Sequence, residues 1–214
     1  KIIDILLNRV KKINSDLIIC AVAKEPKSEI LIKAIKKHKV KIYEGSLDNV
    51  LLRYYNAAKK FKVKNIIRIT SDCPLIDPKL VNKGLKIFEK KNLDHLCNNL
   101  IPTWPHGLDF EIFTFIALKQ SLKRAKTQHE KEHVTPNLRK NKKLKRFNIK
   151  NPITLKRYFR WTVDTKLDYK FLKKLFQSRP ELYYNFNWHD LFTYLNKKNS
   201  LQSINASNHH FYYT

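Results

Sequence analysis

The stretch RITSDCPLIDP (residues 68–78) sets Asp72 and Asp77 five residues apart in a chain with 44 basic and only 18 acidic residues. A second pair, Asp164 and Asp168, falls in RWTVDTKLDYKFL (residues 160–172). Paired carboxylates can hold a divalent cation, and Mg2+ is usually bound by one or two carboxylates together with substrate phosphates. Helix capping accounts for some of these acids. Asp77 precedes Pro78, a preferred N-cap before a preferred first helical residue. Thr165 and Asp168 form a T-x-x-D capping box. Asp48 falls in the first turn of a predicted helix, where the dipole favours an acid. Asp72, just beyond the predicted strand NIIRIT, and Asp164, at the end of the predicted strand RYFRWTV, have no such role. Strand-end aspartates also cap loops, so the pattern alone leaves metal binding and loop capping both open.

The elements that position these residues follow from periodicity. Strands are predicted at 16–23, 40–43 and 65–70, with HLCNN (95–99) as a fourth. Between them run amphipathic helices: one capped by Ser28, one opened by Gly45-Ser46, and one over 78–91. Strands alternating with helices call for a mostly parallel sheet covered on both faces, with ligands outside the carboxyl ends of the strands. The second half is less regular. IPTWPHGLD (101–109) reads as a loop and FEIFTF (110–115) as an alternating strand. Helices are expected at 116–126 and 130–140, strands at RFNI (146–149) and RYFRWTVD (157–164), then helices at 167–176 and 188–198, the last capped by Asn187. The tail over 200–214 reads as poorly ordered or packed on a partner.

With 214 residues, 43% hydrophobic and 12% aromatic, the chain is long enough for one globular domain with an appendage. No apolar run approaches the ~20 residues of a membrane span. Cys20, Cys73 and Cys97 are an odd, widely spaced set, which reads as reduced thiols in a cytoplasmic protein. The net charge of +26 invites a nucleic-acid partner. Its make-up argues against specific binding: 35 of the 44 bases are Lys, spread over nearly every segment, and Arg is the residue that reads bases and phosphates bidentately.

Four motifs taken together, RITSDCPLIDP, WPHGLDFEIFTFIAL, EHVTPNLRKN and RWTVDTKLDYKFL, resemble the sugar-acid cytidylyltransferases. The likeness is nearest to the spore-coat polysaccharide biosynthesis group. It extends more distantly to the enzymes that make CMP-activated sialic acid and ketodeoxyoctulosonate. It runs over residues 1–195. The resemblance implies a Rossmann-like nucleotide-diphospho-sugar transferase fold, a three-layer α/β/α sandwich. The implied domain spans residues 1–180, with residues 181–214 as a C-terminal helical extension and tail. It implies transfer of CMP from CTP to a sugar or sugar acid with release of pyrophosphate. Asp72 and Asp164 would be the Mg2+ ligands, and Ser71 and Arg53 would serve the nucleotide. Asp109, Glu111, Glu132 and His133 would face the sugar. A surface ion pair for Arg53 and an alternating strand residue for Glu111 are the competing readings.

Such families begin with a strand and a basic, glycine-rich phosphate loop, and Lys1-Ile2-Ile3 matches the helix after it. The chain is therefore expected to bind CTP weakly or not at all. The apolar content of FEIFTF suggests a homodimer. Two rivals remain: a glycosyltransferase of similar fold that consumes a nucleotide-sugar, and a non-catalytic basic binding module. HEKEH (129–133) fits the zinc-protease pattern H-E-x-x-H, but Pro136 follows too soon for a continuous helix.

Overall fold

Short apolar runs alternate with 3.6-residue stripes along the computed structural model, which describes residues 1–183 and 185–206. The elements run α1 (Ile2–Val10), β1 (Ile19–Ala23), α2 (Glu29–Lys36), β2 (Lys41–Gly45), α3 (Val50–Lys60), β3 (Asn65–Arg68), α4 (Pro78–Lys90) and β4 (His95–Cys97). They continue with β5 (Glu111–Thr114), α5 (Phe115–Arg124), α6 (Gln128–His133), α7 (Pro136–Lys140), β6 (Arg146–Asn148), α8 (Lys166–Ser178), α9 (Trp188–Lys197) and α10 (Asn199–Gln202). Strands β1 and β2 pair in parallel, and a four-stranded sheet has the order β3-β5-β4-β6. In that sheet β3, β4 and β6 share one direction, as the alternating pattern predicts. β5 enters antiparallel between β3 and β4. The reason lies in its connection: residues 98–110 contain no helix to carry the chain across the sheet, so the strand returns beside its predecessor.

Successive residues of β5 face opposite layers. Ile112 joins the core of α4 and α8 (Leu80, Val81, Phe171), whereas Phe113 joins that of α3, α5 and α7 (Leu51, Leu118, Leu138). This is the expected three-layer sandwich. It also means that FEIFTF is buried on both faces at the centre of the sheet, so it offers no dimer surface. Residues after 180 enter the first core too, through Leu182, Leu191 and Leu195.

Capping is largely as read. Asp77 caps α4 through Oδ1, which accepts the Lys79 N–H at 2.8 Å, and its Oδ2 accepts the Trp188 N–H of α9 at 2.8 Å. Thr165 and Asp168 form their box at α8, and Asn187 caps α9. Several expectations give way. Gly45 ends β2, and Asn49, not Gly45-Ser46, caps α3; Asp48 therefore lies before the cap rather than in the first turn. Ser28 sits at the N-cap of α2 without a side-chain cap bond. The single helix expected over 130–140 is two, because Val134 adopts φ +69° and Pro136 lacks an N–H. Residues 157–164 form no strand beyond an isolated bridge between Arg160 and His106. Part of the tail is ordered on the chain itself, with Asn205 buried; the expectation for residues 207–214 falls outside the described residues. Among the described residues no helix is long and apolar enough to cross a membrane.

Two features fix the geometry around the sheet's centre. Glu111 is 1% exposed and lies between Arg68 of β3 and Cys97 of β4 in the register. Its Oε2 lies 2.8 Å from His95 Nε2, and its Oε1 accepts hydrogen bonds from Thr135 Oγ1 and Arg139 Nη2, both at 2.8 Å, with Arg68 Nη1 at 3.4 Å. Burial alone would raise its pKa; the His95 hydrogen bond and the Arg139 charge outweigh that and hold it well below the usual glutamate range. The second feature is Gly107, at φ +105°, where a Cβ would lie 2.5 Å from the Trp161 carbonyl carbon and 2.6 Å from Thr162 N. Only glycine fits this backbone and this approach.

Two outcomes are expected. Glu111→Gln should lower stability by roughly 3 kcal/mol at pH 7, measured by urea unfolding. Because the folded carboxyl titrates low, its contribution is full above about pH 5 and declines as pH falls through the acid range, so the variant's stability should change less between pH 6 and pH 3. Gly107→Ala should destabilise by about 2 kcal/mol or more in the same assay, from backbone strain plus the clash.

Candidate active site

Residues 159–163 run extended between two loops. On one side His106 N–H donates to Phe159 O at 2.9 Å and Trp161 N–H donates to His106 O at 2.6 Å. On the other, Val163 N–H and Thr162 Oγ1 donate to the Asp72 carbonyl at 2.8 and 3.1 Å. This stitching brings together Asp72 and Asp164, 92 residues apart in sequence. Thr162 Oγ1 lies 3.4 Å from Asp72 Oδ2 and 3.4 Å from Asp164 Oδ2. Asp72 Oδ1 is buried without a hydrogen-bond partner among the described residues. Asp164, 42% exposed, is held by Arg160 Nη2 at 2.6 Å. Burial and the charge of Asp72 raise the Asp164 pKa, against the pull of Arg160. Two neighbouring carboxylates, one of them with an unmatched buried oxygen, suit a cation between them. Among the described residues no three His, Cys, Asp or Glu side chains gather at metal-binding spacing. A cation at this pair would take its other ligands from substrate or water.

Asp72 opens onto a cavity of about 460 Å³. Of the residues expected at the site, Asp72, Asp109, Glu111 and His133 line it. Asp109 accepts the Gly107 N–H at 2.8 Å, and burial raises its pKa. Glu111 is engaged by four protein groups and acts as an anchor for the wall. Arg53, Ser71, Glu132 and Asp164 do not line the cavity; Asp164 stands beside it, across Thr162 from Asp72. Arg53 instead donates to Ser46 O at 2.7 Å and braces the β2–α3 connection. His133 arrives through a tight turn in which Thr135 N–H bonds to His133 O at 2.7 Å across Val134. That positive-φ γ-turn is strained for a β-branched residue, and it directs Thr135 inward to Glu111. In HEKEH the acid is used locally: Glu130 accepts the Lys126 and Thr127 N–H groups as the helix's capping-box residue.

Sequence reasoning missed Arg68, Arg139, His106 and Tyr158, all in the cavity wall. Arg139 Nη2 bridges Glu111 and Asn99 Oδ1, the latter at 2.7 Å. Burial, followed by the Arg160 charge, pushes the His106 pKa down to about 4, so its ring is neutral at pH 7. A usable signal was present: with 35 lysines available, an arginine at a buried or half-buried position, as at 9, 68, 139 and 160, points to a place where its planar fork is used.

Comparison with known proteins agrees with this geometry. The family model described as Cytidylyltransferase matches residues 1–195. An uncharacterized protein of Methanocaldococcus jannaschii is 34% identical over 209 residues, covering 96% of this chain and 84% of its own. The spore coat polysaccharide biosynthesis protein SpsF of Bacillus subtilis is 27% identical over 189 residues, 85% of this chain and 78% of its own. A cytidylyltransferase structure from Leptospira borgpetersenii superposes with a TM-score of 0.87 at 28% identity, covering 94% of this chain and 85% of that one. Asp72 and its cavity thus sit in a nucleotide-diphospho-sugar transferase fold, and the chain belongs to the cytidylyltransferase family.

Proposed function

We propose that this cavity transfers CMP from CTP to a hydroxyl of a sugar or sugar acid, in the making of a surface polysaccharide. The sugar oxygen bonds to the α-phosphorus, the bond from that phosphorus to the β-phosphate oxygen breaks, and pyrophosphate leaves. The observation that carries this reading is the Asp72–Asp164 pair, two carboxylates retained side by side in a chain of net charge +26. The name of the B. subtilis relative supports the polysaccharide setting.

Asp72 and Asp164 would hold Mg2+, which when bound neutralises charge on the triphosphate oxygens and polarises the α-phosphate. The remaining work falls to the chain's own groups and is mostly positioning. Thr162 keeps the two carboxylates in register. Arg68 and Arg139, fixed by Glu111, put positive charge in the cavity wall where an anionic substrate group can meet it. Asp109, oriented by the Gly107 N–H, and His133, the last residue of α6, line the cavity and would receive sugar hydroxyls.

A pyrophosphate-release assay with CTP, other nucleoside triphosphates and a panel of sugars and sugar acids tests the reading. Pyrophosphate should appear with CTP and a sugar acceptor, and Asp72→Asn should slow it by about 100-fold or more. Undiminished release by that variant would refute the carboxylate role. Consumption of a nucleotide-sugar with release of free nucleotide would identify a glycosyltransferase instead.

A further inference from the structure

Asn205 follows α10, near the end of the described chain, and is 3% exposed. Its Nδ2 donates to Arg160 O at 3.1 Å and to Asp168 Oδ1 at 2.9 Å. Asp168 is fully buried and receives the Arg160 fork: Nε on Oδ1 at 2.9 Å and Nη2 on Oδ2 at 3.0 Å. The same Nη2 donates to Asp164 Oδ2 at 2.6 Å. An amide, a carboxylate and a guanidinium therefore link the C-terminal segment to Asp164, beside the cavity.

We infer that Asn205 is a positioning residue, which fixes the Asp164 carboxylate through Asp168 and Arg160. This rests on the reading of Asp164 as a cation ligand. Docking of the segment does not require the amide, because Leu201 and Ile204 already pack on the main core. A buried amide is tolerated only where it is hydrogen-bonded, so its place here points to what it holds. It grips the arginine from both ends, at its own carbonyl and at the carboxylate its fork engages. With both ends held, Arg160 cannot swing, and Asp164 Oδ2 keeps one orientation.

Mn2+ binding to the 214-residue chain, followed by electron paramagnetic resonance, tests this without relying on turnover. Circular dichroism verifies that each variant is folded. Asp164→Asn should weaken Mn2+ binding, with Asp72 supplying the residue of affinity. Asn205→Ala should weaken it by about tenfold, as loss of outer partners typically does. Asn205→Ala should add nothing in the Asp164→Asn background, because its effect runs through that carboxylate. Wild-type affinity in Asn205→Ala, or an equal loss in both backgrounds, would overturn the inference. If Asp164→Asn binds as the wild type does, or the wild type takes up no Mn2+, the cation reading of Asp164 itself falls and takes the inference with it. Should Asn205→Ala not fold, Asn205→Leu keeps the side chain's size, loses both donated bonds without adding charge, and is read by the same criteria.

Discussion

Glu111 carries a full charge on the central strand with almost no access to water, and such a charge is tolerated only when donors surround it. The donors come from four separate places: β3, β4, the turn before α7, and α7 itself. Satisfying one carboxylate thus fixes the relative position of both neighbouring strands and one helix of the covering layer. It also decides where Arg68 and Arg139 point. Their positive charge stays in the cavity wall because a negative charge behind them holds them there. The same logic recurs at Arg9, which donates to Ile76 O and Phe186 O and lies 3.6 Å over the Phe186 ring, joining α1 to the segment before α9. Lysine dresses the surface of this chain; arginine organises its interior.

The acids divide by what surrounds their oxygens. Asp77 has both oxygens taken by backbone N–H groups at helix starts, Glu130 gives one oxygen to two such groups, and Asp168 adds Arg160 and Asn205 to its backbone donors. Asp72 keeps an oxygen without a match, and Asp164 is only partly neutralised by Arg160. A carboxylate already saturated by the protein has little left to offer a ligand, and this difference is what the proposed role of Asp72 and Asp164 rests on.

Most of the first hundred residues were legible because each element there is local. Apolar runs, helical stripes and the Asp77-Pro78 cap state their structure within a dozen residues. The second half depends on distant partners. Residues 157–164 carry strand-like side chains, yet they are extended only because the His106 and Asp72 loops pair with them. The place of β5 follows from a connection lacking a helix, and no alternation within FEIFTF states that. Asp72 and Asp164 could be singled out by elimination, since capping accounts for their neighbours. The role of Glu111 could not, because an alternating strand residue and an anchor of two arginines look alike until the other strands are in place. Arg68 and Arg139 were hidden for a related reason: among so many basic residues, single cations do not stand out by charge.

Asp77 caps two helices whose starts lie 111 residues apart. A ribosome adds roughly 5–20 residues per second, so the second of these helices emerges on the order of 5–20 s after the first. Through that interval the second oxygen of Asp77 lacks its partner on α9, so this tie between the two ends of the core forms late. The link from Asn205 through Asp168 and Arg160 to Asp164 likewise closes only once residue 205 has emerged, so that acid gains its full set of partners late in synthesis.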